Sequence, residues 1–251
     1  MHPNFALILI YHDVYYRDSN ESGFLRERDL LYKMEAGAFE EQVRTISEYC
    51  KTANLSKEHV VFTFDDGGKS FYSVIAPILE KYGYKGLFFI TTKYIGTNTF
   101  LNETEIRDLH KRGHIIGSHA HTHEHLYTLS DKQLEEEWKI STEILSRILG
   151  EKIKYASIPN GDTSKRVLHY AKRYGIEHVY TSEPTTNVGD WNGVEVIGRY
   201  VLLGDSSTDY VMSIIKSKKT RFFLICKRTI LKLIKSVLGQ YYVKLKNILF
   251  R

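Results

Sequence analysis

The chain has 251 residues, 42% of them hydrophobic, and a formal net charge of +5, which suits one large α/β domain with its own core. Its two cysteines, Cys50 and Cys226, exclude a disulfide scaffold and a four-cysteine zinc site. Met1 to Asn4 offer no basic n-region and no run of about 18 uncharged apolar residues exists, so a cytoplasmic location is expected, peripheral at the inner face of a membrane if the tail described below attaches there.

Short apolar runs recur along the chain: Phe5–Ile10, Val60–Phe64, Gly86–Thr91, His114–His119, Ile153–Ile158, His178–Ser182 and Val194–Val201. Between them lie segments of helical period, such as Ala38–Cys50 with Phe39, Val43, Ile46 and Cys50 on one face. Asn102 with Glu105, and Ser130 with Gln133, read as capping boxes, while Gly83, Gly113, Gly150 and Gly175 sit where helices should end. About seven strands alternating with helices predict a parallel α/β sheet. Tyr15–Glu35 is charged and aperiodic and is expected to be a long loop beside the site; its Tyr15, Tyr16, Phe24 and Tyr32 are candidates for stacking on sugar rings or for anchoring the loop.

Two clusters carry chemistry. Five of the 11 histidines fall within His114–His125. His119 and His123, four apart at a strand end, can face the same way if the chain turns helically, and two imidazoles with one carboxylate form a common catalytic metal set. The second cluster is Thr63-Phe64-Asp65-Asp66-Gly67-Gly68, directly after an apolar strand. Of two adjacent carboxylates, one can bind metal while the other accepts a proton. The glycines are expected to let the backbone turn and to leave room for substrate.

Thr63-Phe64-Asp65-Asp66-Gly67, the string Gly113 to His123, and Ser157-Ile158-Pro159-Asn160-Gly161 resemble, in order, the first three motifs of the polysaccharide deacetylases (the NodB-like domain, carbohydrate esterase family 4). The resemblance covers roughly residues 5–205. It implies an irregular (β/α) barrel, Asp65 as catalytic base, and Asp66, His119 and His123 as ligands of one divalent ion, zinc first, with manganese, cobalt, nickel or iron as alternatives. It implies the removal of N-acetyl groups from amino sugars of a polysaccharide or lipid-linked glycan, with Pro159 and Asn160 at the substrate and oxyanion position. The sequence departs from the family pattern in two places. Ser157 stands where an arginine often holds the base, and Arg199 is the candidate replacement. The late histidine that acts as general acid is absent, and His12, in Tyr11-His12-Asp13, is the candidate replacement, its ring to be held charged by Asp13. Some family members of exopolysaccharide systems share that Tyr-His opening.

Other readings are a catalytically degenerate glycan- or metal-binding protein and an amidohydrolase acting on another amide. The expected division is a catalytic domain over 1–212 and a tail over 213–251. That tail holds 11 of the 35 bases and no acid, leaving 24 bases against all 30 acids in the body. With its interleaved apolar residues it is expected to lie on an anionic membrane surface, with packing on the barrel as the alternative. It carries no nucleic-acid motif, and no nucleic-acid partner is expected.

Overall fold

The computed structural model describes residues 6–161 and 163–238. In chain order they form β1 (Leu7–Tyr11), β2 (Val14–Tyr15), α1 (Glu27–Leu30), β3 (Met34–Glu35), α2 (Ala36–Thr52), β4 (Val60–Phe64), α3 (Ala76–Lys81), β5 (Gly86–Ile90), α4 (Glu103–Lys111), β6 (Ile115–Ser118), α5 (Asp131–Leu149), β7 (Tyr155–Ser157), α6 (Lys165–Arg173), β8 (His178–Tyr180), β9 (Val188–Trp191), β10 (Val194–Ile197), β11 (Tyr200–Val201), α7 (Thr208–Lys216) and α8 (Lys218–Leu238). Both expected capping boxes form, at Asn102 and Ser130, and Gly150 ends α5 at φ 76°.

The main sheet runs β11-β1-β4-β5-β6-β7-β8-β10-β9. All its neighbours pair in parallel except β9, an antiparallel edge strand on β10. The run expected as one strand, Val194–Val201, is two. β10 ends at Ile197 beside β8, and β11 starts at Tyr200 beside β1, nearly the opposite end of the sheet order. Only Gly198 and Arg199 join them, a reach of about 10 Å, so the sheet must curl until its ends almost meet. Gly198 is required there, since a Cβ would stand 2.5 Å from the Glu183 carbonyl oxygen.

Every residue of β1, β4 and β5 is buried, and the pleat sorts them by face. Leu7, Leu9, Phe62, Phe64 and Phe88 join the large core with the helices. Ala6, Ile8, Val61, Leu87, Phe89, Tyr180 and Ile197 fill the inside of the curl. Being covered on both faces is why these strands read as unbroken apolar runs.

A further expectation changes. Residues 15–35 are not one loop: they include a 3-10 turn at Ser19–Glu21 and α1, and they end at β3, which pairs with β2. α7 runs through position 213 and buries Val211, Met212, Ile214 and Ile215, so those residues pack with the body. The tail then continues as α8. Residues 239–251, with Lys244, Lys246 and Arg251, lie outside the described residues. Among the described residues no helix is long and apolar enough to cross a membrane.

Candidate metal and catalytic centre

Asp65 continues the inward alternation of Val61 and Thr63 past the end of β4. Its backbone N–H donates to Tyr11 O, and its side chain ends above the inner cluster. Arg199, the two-residue bridge between sheet ends, reaches it from across the curl. Nη1 donates to Oδ1 and Nη2 to Oδ2, both at 2.8 Å. The guanidinium also donates to Thr63 Oγ1, Ser157 Oγ and Thr181 O and lies over the rings of Phe89 and Tyr180. Ser157 Oγ donates to Asp65 Oδ2 at 2.9 Å. Thus the residue standing at the family's arginine position is small and hydrogen-bonded to an arginine from elsewhere in the chain.

A guanidinium with no exposed surface needs this much compensation, because burying an unpaired charge is costly. Burial works to raise the Asp65 pKa. The charge of Arg199, with its hydrogen bonds, overcomes that and holds it below the usual carboxylate range.

Asp66 points elsewhere because its backbone does. Its φ is 90°, a sparsely populated conformation for a residue with a Cβ. Burial again acts to raise its pKa, and His123, His12 and His119 pull it well below the ordinary value. His119 Nε2 stands 3.5 Å and His123 Nε2 3.1 Å from Asp66 Oδ1. The ligand atoms of all three residues lie within 4.8 Å of one another. Two ligands at about 2.0–2.1 Å from one tetrahedral ion sit about 3.4 Å apart, so these spacings fit a divalent ion bound by two imidazoles and a carboxylate.

The helical turn expected between the histidines is absent. Ala120 and His123 both have positive φ, 59° and 69°, and the chain doubles back. Glu137, buried on α5, accepts the N–H groups of His121 and Thr122 and the Thr122 hydroxyl, which fixes this turn. Ser157 O takes the Nδ1 side of His119 at 3.1 Å, so Nε2 is the nitrogen left for an ion. Burial lowers the His119 pKa to about 4, favouring the neutral ring that metals need. For His123 burial has the same sign, but Asp66 outweighs it and the pKa rises. Among the described residues, four of the six non-glycine positions with positive φ are Asp66, Ala120, His123 and Asn160, so strain concentrates at this centre.

His12 follows β1 and lines the same groove as Asp65, Asp66, His119, His123, Asn160 and Tyr32. Its ring lies 4.6 Å from that of Tyr32. Its Nδ1 is buried with no hydrogen-bond partner. Asp13 does not hold this ring, contrary to expectation. The Asp13 carboxylate is turned away, accepts from Ser22 and Ser70, and ties residue 22 to the start of the helical segment after β4. Gly68 serves that contact rather than the substrate, since a Cβ there would meet Asp13 Oδ1 at 1.9 Å.

Pro159 is buried and Asn160 forms the groove wall with φ 60°. Phe24 is buried against Tyr94 and Phe100, with its ring 4.9 Å from His123, so it anchors the segment that carries it. Tyr16 is exposed and outside the groove lining. His114 is buried between Glu80 and the Gly86 N–H, away from the ligand set. Asp190 and Trp191 lie on the edge strand β9.

Sequence reasoning missed Glu137, which occupies an ordinary helical position, and the part of the groove wall made by α8: Leu224, Lys227, Arg228, Leu231 and Lys232. A hint of the second existed in the spacing of those five residues, which is one helical stripe.

Among known proteins, the model of the family described as Polysaccharide deacetylase matches residues 52–179. The peptidoglycan-N-acetylmuramic acid deacetylase PdaA of Bacillus subtilis is 30% identical over 131 residues, 51% of this chain and 48% of that one. The peptidoglycan-N-acetylglucosamine deacetylase of Bacillus cereus is 27% identical over 147 residues, 58% of this chain and 51% of that one. The chain spans about half the length of the curated relatives it matches. Of solved structures, the Streptococcus pyogenes deacetylase PplD superposes with a TM-score of 0.68 at 20% identity, over 84% of this chain and 98% of that one. IcaB from Ammonifex degensii gives 0.64 at 19% identity, over 86% and 99%. These two share the fold, the curled sheet with its outer helices. Because the matched stretch takes in β4 through β8, with both aspartates, the histidine turn and the proline loop, the chain belongs to the polysaccharide deacetylase family.

Proposed function

We propose that the protein is a metal-dependent hydrolase that removes N-acetyl groups from amino sugars of a glycan. One observation carries this: two adjacent carboxylates with opposite surroundings, Asp65 clamped by Arg199 and Asp66 turned to two imidazoles. A binding module has no use for a buried, ionised carboxylate held beside a ligand set but outside it.

A divalent ion would be held by Asp66, His119 and His123 and would supply Lewis acidity to the amide carbonyl and to the attacking water. The protein's own groups do the rest. Asp65 takes a proton from the water. Its Oδ1 accepts one bond, from Arg199, and keeps a lone pair for that proton. Arg199 and Ser157 fix the plane of the carboxylate so that this lone pair faces the groove. His12 gives a proton to the departing amine, the one groove histidine outside the ligand set whose Nδ1 is buried without a partner. The Asn160 turn offers backbone N–H to the developing oxyanion. The basic tail brings the chain to an anionic membrane surface, supported by its 11 bases and absence of acids.

Asp65→Asn against Asp66→Ala tests the division of roles. Asp65→Asn should keep the ion and lose turnover of an N-acetylglucosamine oligomer. Asp66→Ala should lose both. Metal content by elemental analysis and acetate release separate them; an Asp65→Asn protein that loses its ion, or deacetylates at near parental rate, overturns the assignment.

A further inference from the structure

Helix α8 is amphipathic in an inverted sense. Leu224, Lys227, Arg228, Leu231 and Lys232 follow i, i+3, i+4, i+7, i+8 and line the same groove of about 670 Å³ as Asp65 and Asp66. Among the described residues the opposite face is apolar and exposed: Phe222 is 67% exposed, Phe223 66% and Ile230 55%. The helix is held in this orientation at defined points. Leu224 packs on the main core, Arg221 donates to the Ile214 and Ile215 carbonyls at the end of α7, and Glu183 accepts from both Arg228 and Lys232.

The groove therefore has the Asp65–Asp66 centre on its floor and, along α8, a basic wall. Glu183 offsets one of the three charges that Lys227, Arg228 and Lys232 bring. A neutral N-acetylated glycan gains nothing from displacing water around the remainder. A phosphate does, through charge-assisted hydrogen bonds. The outward face adds a second requirement. Bare aromatic and aliphatic side chains on a helix rich in bases and free of acids match an anionic lipid interface, where the apolar face enters the acyl boundary.

We infer that the substrate is an N-acetylated sugar joined through a phosphate or diphosphate to a lipid, with the sugar on the Asp65–Asp66 floor, the phosphate on Lys227, Arg228 and Lys232, and the lipid in the bilayer on which the outer face of α8 rests. The order sugar, phosphate, lipid repeats the order floor, wall, outer face. This rests on the deacetylase reading above and names the substrate class of that site.

The test uses the full chain, metal-loaded, with a polyprenyl-diphosphate-linked N-acetylglucosamine in phosphatidylglycerol vesicles and with N-acetylchitotriose in solution. The parent should favour the lipid diphosphate by at least about 10-fold in kcat/KM. The double variant Lys227→Gln, Lys232→Gln should lose most of that preference, read as the ratio of kcat/KM on the two substrates. Lys139→Gln, an equal charge loss on the exposed side of α5, should leave that ratio unchanged. Equal loss on both substrates, or an undiminished preference in the double variant, overturns the proposal. Phe222→Ser with Ile230→Ser should reduce co-sedimentation with the vesicles several-fold. Full retention by that variant, or a parent that buries this face in a dimer by ultracentrifugation, also overturns it. If neither substrate is deacetylated, the catalytic reading has failed, and binding of farnesyl diphosphate against farnesol and inorganic pyrophosphate still decides this one. The parent should bind farnesyl diphosphate more tightly than either, the double variant should bind it at least about 10-fold more weakly, and parity between the two proteins sinks the idea.

Discussion

The floor and the rim of the groove are built on opposite plans. On the floor, one carboxylate receives bonds from residues at the ends of β7 and β10, and the arginine that holds it also bonds the ends of β4 and β8. Moving any one strand end disturbs the others, so geometry there is over-determined. The rim is attached at points: Asp13 with Ser22 and Ser70 on one side, Glu183 with Arg228 and Lys232 on the other. Groups that must meet a transition state within a fraction of an ångström sit on the floor. Groups that select what enters sit on the rim, where a few contacts suffice and can change without dismantling the floor. His12 belongs to the floor by position, following β1, and to the rim by bonding, since its Nδ1 has no partner.

That ambiguity sets the largest effect to look for. His12→Ala should leave metal content and thermal unfolding near parental while lowering kcat on an amide substrate by about 10²–10⁴-fold. The loss should be smaller on the matching O-acetyl ester, whose leaving group needs a proton less. An unchanged kcat on the amide would remove His12 from the reaction and leave it a rim residue packed on Tyr32.

Arg199→Lys probes the floor's over-determination from within. Lysine keeps the charge but cannot span Asp65 and Ser157 with a planar fork. Losing one charged hydrogen bond of about 1.5–3 kcal/mol predicts a fall in kcat of about 10–10²-fold with the ion retained. A folded variant at full rate would show that the plane of the Asp65 carboxylate is not what the arginine controls.

The floor was largely legible in the sequence and the rim was not. Val60–Phe64 announced its strand because a doubly covered strand must be apolar throughout, and Asp65-Asp66 and His119/His123 announced themselves by composition. Arg199 was visible as a candidate on the last strand run, yet the break in that run at Gly198 was not, because period-2 alternation is silent on where pairing partners change. Two errors share a cause. Asp13 was assigned to its sequence neighbour His12, and Gly68 to the substrate, although the two meet each other, Gly68 leaving space for the Asp13 carboxylate. Contacts across 55 positions leave no local trace. Glu137 escaped for the same reason, and α8 showed its basic, apolar character without the Glu183 contact that decides which face turns inward.

His114 gives the smallest effect and the sharpest contrast within one motif, since it shares the histidine run with the ligands but none of their chemistry. Its Nδ1 accepts the Gly86 N–H at 3.0 Å while Nε2 faces Glu80 at 3.0 Å. An acceptor at Nδ1 requires a neutral ring. Burial enforces this by lowering the pKa from 6.5 to about 4, against the opposing pull of Glu80. Glu80 itself is held at about 2, mainly by its bond from Arg112. Because the folded pKa of His114 lies below the unfolded one, the unfolded chain binds more protons between them. The contribution is full above pH 6.5 and is lost as pH falls toward 4. At pH 5 the difference is worth about 1–2 kcal/mol. Asn in place of His114 keeps an acceptor near Gly86 but cannot titrate. Urea unfolding at pH 7 and pH 5 should therefore show the parent losing about 1–2 kcal/mol more than His114→Asn, with titration of the ligand histidines common to both and cancelling in the comparison. Parallel losses in the two proteins would mean that His114 titrates in the folded protein much as it does in the unfolded chain, and that accepting the Gly86 N–H does not hold its ring neutral.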